Sequence, residues 1–550
     1  TTVVNRPVLN FSLAVNYAFG QTSPWGYHVF NIGLHALNAL LVARLAQVIL
    51  AATARGPVER VAWPALAASL WAVHPLTTAA VVYVVQRAEA LMSLFYLAGL
   101  LALVASVRAG QQVQAELDAD PDCDPDRSRE VRWWSLVVVC FCLGLATKEV
   151  AITFPVVAMV FDRTYLAASW SELFWRRGRG YATLLLSSAA YAVFVLFFSN
   201  GRDGTAGLSV RVSPLDYLMT QIVVVSDYLW YSFWPVCVPF DWGLVLITSP
   251  AEWGPRLALL LPLLLLSLGG AAGGARWAFP GAWLFLILAP TSTFVPIATQ
   301  VGAPQRMYLP LVGLMIGVCG LASVARFPRW ANSARSAGTL WWSTVVVAGL
   351  LVVALGLLTA QRNALFVSSI AVWKENARCR PLNPRSYHNV MGLLREEGHL
   401  EEALEWATRA LEIPSVRATD RVFINVSVAY PAWLSERGVL YYRLNKLDLA
   451  LRDFDAAIER DPNYDLARIN RADLLLDLGR PEEAIAECDR IIARRFRLET
   501  AISLRGIGCL HAGRLDEAEH CLRLLDQFDM RPTPRFRKEL DQARAAAVRP

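Results

Sequence analysis

Residues 132–166 read RWWSLVVVCFCLGLATKEVAITFPVVAMVFDRTYL, and the way this stretch divides decides the fold. It is apolar on both sides of Lys148-Glu149. As one helix it would run to roughly 52 Å, against a hydrocarbon core of about 30 Å, with two charges buried at its middle. As two short helices it forms a hairpin with Lys148-Glu149 at the tip. The basic residues select the hairpin. Two spans here make ten in all. The inside loops then hold Arg55 and Arg60, the group Arg108, Arg127, Arg129 and Arg132, the group Arg163, Arg176, Arg177 and Arg179, then Arg276, and finally Arg326, Arg329 and Arg335. The outside loops hold Arg87, Lys148, Arg202, Arg211, Arg256 and Arg306. Lys and Arg accumulate on the cytoplasmic side of membrane proteins, and a single span at 132–166 would erase that bias.

Working outward, apolar segments of spanning length occur at about 28–52, 62–82, 89–107, 181–199, 256–275, 277–294, 307–325 and 339–360. The 550 residues are 55% hydrophobic and 18% charged, with mean hydropathy +0.37, which excludes a disordered chain and argues against an ordinary soluble enzyme. Nineteen Trp fit interfacial anchors of a membrane protein. The nine Cys show no C-x-x-C and the seven His no H-E-x-x-H, so no metal site and no cofactor is expected. DADPDCDPD at 118–126 reads as a solvated inside loop. The chain opens on Thr1 rather than Met, and residues 1–25 do not form a signal peptide, so an amino-terminal truncation is expected. With an even number of spans, residues 1–27 and everything after 361 share the outer side, in the periplasm or the ER lumen. The expected division is an outer segment 1–27, a transmembrane domain 28–361, a linker 362–381, a repeat domain 382–530 and a tail 531–550.

The repeat domain rests on a period. Ala450, Ala484 and Ala518 are spaced by 34, as are Asn445, Gly479 and Gly513. A period of 34 is the signature of tetratricopeptide repeats, helix pairs stacked into an α-solenoid. Gly438, Tyr441, Ala450, Phe454, Ala457 and Pro462 occupy the small, aromatic and breaker positions of one unit. REEGHLEEALEWATRAL (395–411) is another, and Ala403 precedes Ala450 by 47, one repeat plus 13 inserted residues. About four repeats follow. The expected fold is therefore all-α: a polytopic helix bundle followed by a solenoid whose concave face takes an extended peptide or serves as a packing platform.

Polar residues in apolar segments mark candidate sites. His28, Asn31, His35 and Asn38 lie at spacings of 3, 4 and 3 and share one helix face. They serve either as hydrogen bonds between helices or as contacts to a headgroup or sugar. His74, Arg87 and Glu89 surround a turn broken by Pro75. Lys148-Glu149 and Gln305-Arg306 reach the same outer level. SPLDYLMTQIVVVSDYLWYSFWPVCVPFDWG (213–243), interrupted by Asp216, Gln221, Asp227 and Pro235, reads as an interfacial segment ending at Asp241. Arg87, Lys148 and Arg306 run against the charge bias, and together they suit a lipid-linked phosphate at the outer leaflet. Nucleic acid is not an expected partner.

The ordered set RPVLNFSLAVNYAFG (6–20), GYHVFNIGLHALNALLV (26–42), HPLTTAAVVYVVQRAEAL (74–91), ATKEVAITFPVVAMVFDRTYL (146–166), FDWG (240–243), LAPTSTFVPIA (288–298) and QRMYLP (305–310), followed by the repeats, resembles the transmembrane and tetratricopeptide-repeat O-mannosyltransferases and their bacterial relatives, which are class-C glycosyltransferases. The resemblance covers nearly the whole chain. It implies transfer of a sugar, a mannose-like hexose, from a polyprenyl- or dolichyl-phosphate to a protein Ser or Thr hydroxyl on the outer side, with the repeats holding the acceptor polypeptide. Arg87, Lys148 and Arg306 would bind the donor phosphate. His74 and Glu89 would support them, and Glu149, Gln305, Asp241, His35 and Asn38 would orient them, with Glu149 holding Lys148. The family's acidic pair, which supplies the catalytic base, is expected upstream of Thr1. Ala79 stands where the family often has Glu or Gln, and Gln305 where bacterial members often have His. These details lean toward a bacterial inner-membrane member, with an ER enzyme as the alternative. Two readings of other kinds are a non-enzymatic membrane-anchored scaffold and a lipid-linked glycan ligase.

Overall fold

The computed structural model describes residues 6–54, 56–197, 213–243, 246–247, 249–292, 297, 300–324, 334–417 and 429–547. Its regular elements are helices, and it divides into two units, residues 1–367 and 368–550.

In the first unit the chain opens with α1 (Pro7–Gly20) and α2 (Pro24–Leu50), so the expected outer segment 1–27 is mostly helical. Then come α3 (Glu59–Ala72), the short α4 (Thr78–Val82) and α5 (Arg87–Ala119). α6 (Ser128–Leu145) and α7 (Phe154–Tyr165) form the hairpin expected at 132–166. Lys148 is extended, with φ −158° and ψ 138°, and a 3-10 turn at 149–153 leads into Pro155 in the first turn of α7. An extended residue between helices turns consecutive side chains to opposite sides. The loop 120–127 is exposed and closes on its own aspartates, as Asp120 and Asp126 accept from the backbone N–H of Asp122 and Ser128.

The bundle continues with α8 (Trp170–Phe197), α9 (Pro214–Phe233), α10 (Pro250–Ala272), α11 (Phe279–Leu288), α12 (Pro310–Val324) and α13 (Ala334–Leu365). Segment 213–243, expected at the interface, becomes α9, whose Tyr217, Gln221 and Tyr228 are buried. They can be buried because backbone carbonyls of residues 291–303 accept from them. A helix thus stands at each of the ten expected spans, but fewer qualify as spans alone. Among the described residues four helices are long and apolar enough to cross a membrane, Pro24–Leu50, Val84–Ala119, Pro250–Ala272 and Trp342–Leu365. Glu59–Ala72 and Pro75–Val82, bent by 53°, make a fifth if counted as one span. At that bend the Thr359 hydroxyl donates to the freed Val73 carbonyl at 2.7 Å, which removes an unsatisfied group from apolar surroundings. α10 and α13 expose large apolar side chains such as Leu259, Leu266, Leu350 and Leu357, an arrangement suited to lipid.

The 33-residue α5 runs through the middle of the core. Gly99 lets the Phe154 ring of α7 lie against its backbone, and that ring also meets Tyr96 edge-on at 5.0 Å and stacks on Phe141 at 5.7 Å. At the other end of α7, Arg177 of α8 forks onto Asp162 at 2.7 and 2.8 Å, and Tyr181 donates to the same carboxylate at 2.8 Å. This fully satisfied buried pair fixes α8 to the hairpin.

The second unit begins with α14 (Ser369–Cys379) and α15 (Pro384–Glu396), so most of the expected linker 362–381 is helix. Ser368 caps α14 by accepting from the Ala371 N–H at 3.3 Å. Lys374 donates to Glu402 at 2.6 Å and holds that carboxyl below its ordinary range. α16 (Leu400–Leu411), α17 (Pro414–Arg417), α18 (Tyr430–Arg443), α19 (Leu447–Arg460), α20 (Asp465–Asp477), α21 (Pro481–Ala493), α22 (Leu498–His511) and α23 (Leu515–Gln527) follow. Four helix pairs, α15–α16, α18–α19, α20–α21 and α22–α23, are the expected four repeats. The 13 inserted residues fall largely on 418–428, outside the described residues. The expected tail 531–550 carries α24 (Pro534–Ala547), whose Phe536 and Leu540 are buried. Phe536 lies against Gly506 of α22, so α24 closes the apolar end of the stack.

The period of 34 has a geometric cause. Asn445, Gly479 and Gly513, with Gly398 before them, all have φ between 58° and 85°, the left-handed position that ends a helix. The next N–H in each case reaches back to a carbonyl five residues earlier: His399 to Leu394, Lys446 to Tyr441, Arg480 to Leu475 and Arg514 to Cys509. Ala403, Ala450, Ala484 and Ala518 are fully buried where paired helices approach. Gly438 admits the Phe454 ring, and a Cβ there would lie 2.6 Å from it. Gly438→Ala is therefore expected to destabilise the repeat unit by about 1–3 kcal/mol through overpacking, read as a lower melting temperature of the full chain.

Candidate functional site

Four short turns gather at one place in the bundle: 75–77, 149–153, 289–291 and 304–307. The first packs on the last, and 149–153 packs on 289–291. Each contains or directly follows a residue that cannot continue a helix in place, namely Pro75, extended Lys148, Pro290 and Pro304.

Lys148 and Glu89 form a buried ion pair, only 8% and 3% exposed. Of the three N–H bonds on Lys148 Nζ, one goes to Glu89, and among the described residues the other two have no acceptor in hydrogen-bonding reach. A buried ammonium with spare donors is costly unless an anion or water takes them. Glu149, expected to hold Lys148, acts on it by charge, while Glu89 takes the hydrogen bond. The Glu149 carboxylate also takes Arg6, at 3.1 and 3.2 Å. The extended Lys148 sends adjacent side chains apart, and Arg6 has no distinguishing signal in the sequence beyond its place ahead of α1.

Arg306 is half-buried. Its Nη1 donates to the Val301 and Thr291 carbonyls at 3.0 and 3.3 Å, and its Nη2 to the Gln300 carbonyl at 2.6 Å. Carbonyls orient the guanidinium but leave its charge in place, and among the described residues no carboxylate pairs with it. The Thr291 carbonyl belongs to the turn on which 149–153, the turn that follows Lys148, packs. The Tyr228 hydroxyl lies close enough to both Arg306 and Glu89 to feel their charges. Tyr228 and Gln221 of α9 hold the Ala303 and Val301 carbonyls at 3.0 and 2.9 Å, and Trp71 and Trp283 hold those of Tyr308 and Leu309 at 2.8 and 2.9 Å. The segment carrying Arg306 is thus clamped by side chains of α3, α9 and α11. The apolar setting of Trp71, Tyr228 and Trp283 makes them look like core in the sequence.

Arg87 departs from expectation. It is fully buried, and each nitrogen is committed: Nε to Asn31 Oδ1 at 2.6 Å, Nη1 to the Ser12 carbonyl at 3.1 Å and Nη2 to the Tyr27 carbonyl at 3.2 Å. Its guanidinium sits 4.4 Å over the Phe30 ring. It joins α1, α2 and α5 and is closed off from a ligand. Arg87→Met is expected to lower the melting temperature by leaving the buried Asn31 Oδ1 unpaired, about 1–3 kcal/mol, and by removing the donor that ties the Ser12 and Tyr27 carbonyls of α1 and α2 to α5, while the correctly folded fraction keeps its affinity for a lipid-phosphate donor. Thermal unfolding and donor titration check the two halves.

The other expected residues are engaged within the bundle. His74 caps the turn 75–77, its Nδ1 accepting from the Leu76 N–H at 3.1 Å, while Nε2 meets the Ser232 carbonyl at 3.2 Å. With both nitrogens used and 1% exposure, it is not free to orient a sugar. His35 spans the Tyr308 hydroxyl at 2.8 Å and the Ala72 carbonyl at 2.9 Å. Asn38 donates to the Ala90 carbonyl at 2.8 Å and to Tyr308 at 3.2 Å. Asn31 donates to the Val81 carbonyl at 2.9 Å. The polar stripe of α2 is thus interhelical hydrogen bonding, whereas His28 is half-exposed. Gln305 is buried, with a long contact of 3.5 Å to Gln300. Asp241 is buried and accepts from the Gly243 N–H at 3.2 Å, beside Trp242, whose ring packs edge-on against Tyr228 at 5.3 Å.

Comparison with known proteins agrees with this layout. A family model for the tetratricopeptide repeat matches residues 436–497. The chain is 22% identical over 579 residues to a protein O-mannosyl-transferase, Tmtc3 of Drosophila melanogaster, covering 86% of this chain and 59% of the relative. It is 32% identical over 314 residues to Tmtc2 of the same organism, covering 55% of this chain and 30% of the relative. With human TMTC4 it shares 24% over 444 residues, 73% of this chain and 57% of the relative. The chain therefore spans between 30% and 59% of the length of these relatives. The resemblance carried by the ordered motifs is borne out by the names these relatives bear.

Proposed function

We propose that this chain is part of a membrane glycosyltransferase that moves a mannose-like hexose from a polyprenyl- or dolichyl-phosphate to a Ser or Thr hydroxyl of a polypeptide held by the repeats. The relatives' names support the transfer of mannose to protein. The observation that carries the donor is Lys148, a buried ammonium with two uncommitted N–H bonds, leading into a turn that packs on the one whose Thr291 carbonyl holds Arg306.

In this mechanism the acceptor oxygen attacks the anomeric carbon and the bond to the carrier phosphate breaks. Negative charge grows on the phosphate as it leaves. Lys148 supplies a point charge to it and Arg306 a planar donor, and both are held in place before the reaction by Glu89 and by the carbonyls of 291, 300 and 301. The lipid phosphate is a good leaving group, so no general acid is needed. A carboxylate takes the acceptor proton. The repeat unit lies on the side of the membrane where transfer occurs.

The test is transfer of labelled mannose from dolichyl-phosphate-mannose to an acceptor peptide by the chain in its natural full-length context. No transfer from any lipid-phosphate sugar would reject the reading. One observation favours a scaffold instead: Glu89–Lys148 also works as a purely structural clasp between α5 and the α6–α7 hairpin. A scaffold would keep its partner binding when Arg306 is replaced.

A further inference from the structure

A second group of cations lies far along the bundle from the turns described above. Arg44 of α2, Arg108 of α5 and Arg129 of α6 line one cavity of about 500 Å³. From Arg87 to Arg108 along α5 is roughly 31 Å at the helical rise, about the thickness of a hydrocarbon core. The three arginines therefore stand at the opposite membrane boundary from Lys148 and Arg306. The lining is mixed: Arg44, Arg108 and Arg129 form its polar part, and Val48, Leu101 and Trp133, on the same three helices, its apolar part.

The charge of the polar part is not neutralised within the cavity. No Asp or Glu lines it, and Arg44 donates only to the neutral Gln47 amide, at 3.2 Å. The two acids nearest Arg129 in the chain turn elsewhere. Asp126, which acts on Arg129 from a distance, is exposed and bonded to Ser128, and the Glu130 carboxylate lies against Gly110. The three arginines are exposed to the cavity, so their N–H groups are open to an anion entering it.

We propose that this cavity binds the headgroup of an anionic phospholipid, with the phosphate between the three arginines and the upper acyl chain against Val48, Leu101 and Trp133. Arg offers a bidentate fork to a phosphate, and basic pockets between membrane helices suit such headgroups. The apolar part distinguishes a lipid from a free phosphate ion, which would gain nothing from it. The site is separate from the proposed donor site, since it lies at the other membrane boundary and shares no residue with it.

The test uses the full chain purified in detergent and exposed to vesicles of equal parts phosphatidylglycerol and phosphatidylcholine, with the retained lipid quantified by mass spectrometry. The wild type is expected to retain phosphatidylglycerol several-fold over phosphatidylcholine. The triple variant R44Q/R108Q/R129Q is expected to lose that preference and R44K/R108K/R129K to keep part of it. Inorganic phosphate at millimolar concentration is expected to leave the preference unchanged. Equal retention of the two lipids by the wild type overturns the proposal, and this arm needs no variant to fold. So does an unchanged preference in the Gln variant, or displacement of the lipid by inorganic phosphate, which would mark a site for the free ion.

Discussion

Replacing Lys148 with Ala is expected to abolish measurable sugar transfer and to destabilise the bundle. The two effects have different causes. Loss of a fixed cation that meets the leaving phosphate is expected to slow turnover about 100- to 1,000-fold, the usual cost of removing one preorganised stabilising group. Stability suffers because Glu89, 3% exposed, is left charged without its partner, and breaking a buried pair from one side costs about 3–5 kcal/mol. The double variant Lys148→Met/Glu89→Gln separates them. It removes both charges while keeping similar volumes, so most of the melting temperature should return. Turnover should not return. A purely structural clasp predicts that both recover together.

Arg306→Ala is expected to fall nearly as far, by about 100-fold in turnover. It also leaves the carbonyls of Thr291, Gln300 and Val301 without the donor that gathers them. Arg306→Lys separates charge from shape. A single ammonium can stand in for the positive charge but cannot reach three carbonyls in the guanidinium plane, so partial activity with a weakened donor affinity is expected. Donor titration of both variants reads this directly. If Arg306→Ala retains wild-type turnover and donor affinity, the leaving-group role is wrong.

What the sequence shows and what it hides follow from the range of the interactions. The α6–α7 hairpin is legible because Lys148-Glu149 interrupts an apolar run too long to be one span. The solenoid is legible because the left-handed helix ends at Asn445, Gly479 and Gly513 and the buried Ala450, Ala484 and Ala518 impose a local period. Partner choice is not local. Lys148 pairs with Glu89, 59 residues away, and Glu149 with Arg6, 143 residues away, so adjacency in the chain suggests the wrong pair. Arg87 looks like a ligand for the same reason: Ser12, Tyr27 and Asn31, which enclose it, are distant in sequence. α14 and α24 are missed because short polar helices with one apolar face leave a weak signal. The buried polar face of α9 is not legible because its residues are satisfied by carbonyls of a later loop rather than by water.

The central claim is that Lys148 acts on the donor phosphate and not only on Glu89. It is tested most directly by the turnover of Lys148→Met/Glu89→Gln with dolichyl-phosphate-mannose, measured on protein whose melting temperature matches the wild type. The account predicts a folded protein that transfers mannose about 100-fold more slowly or worse. Wild-type turnover in that protein would contradict it.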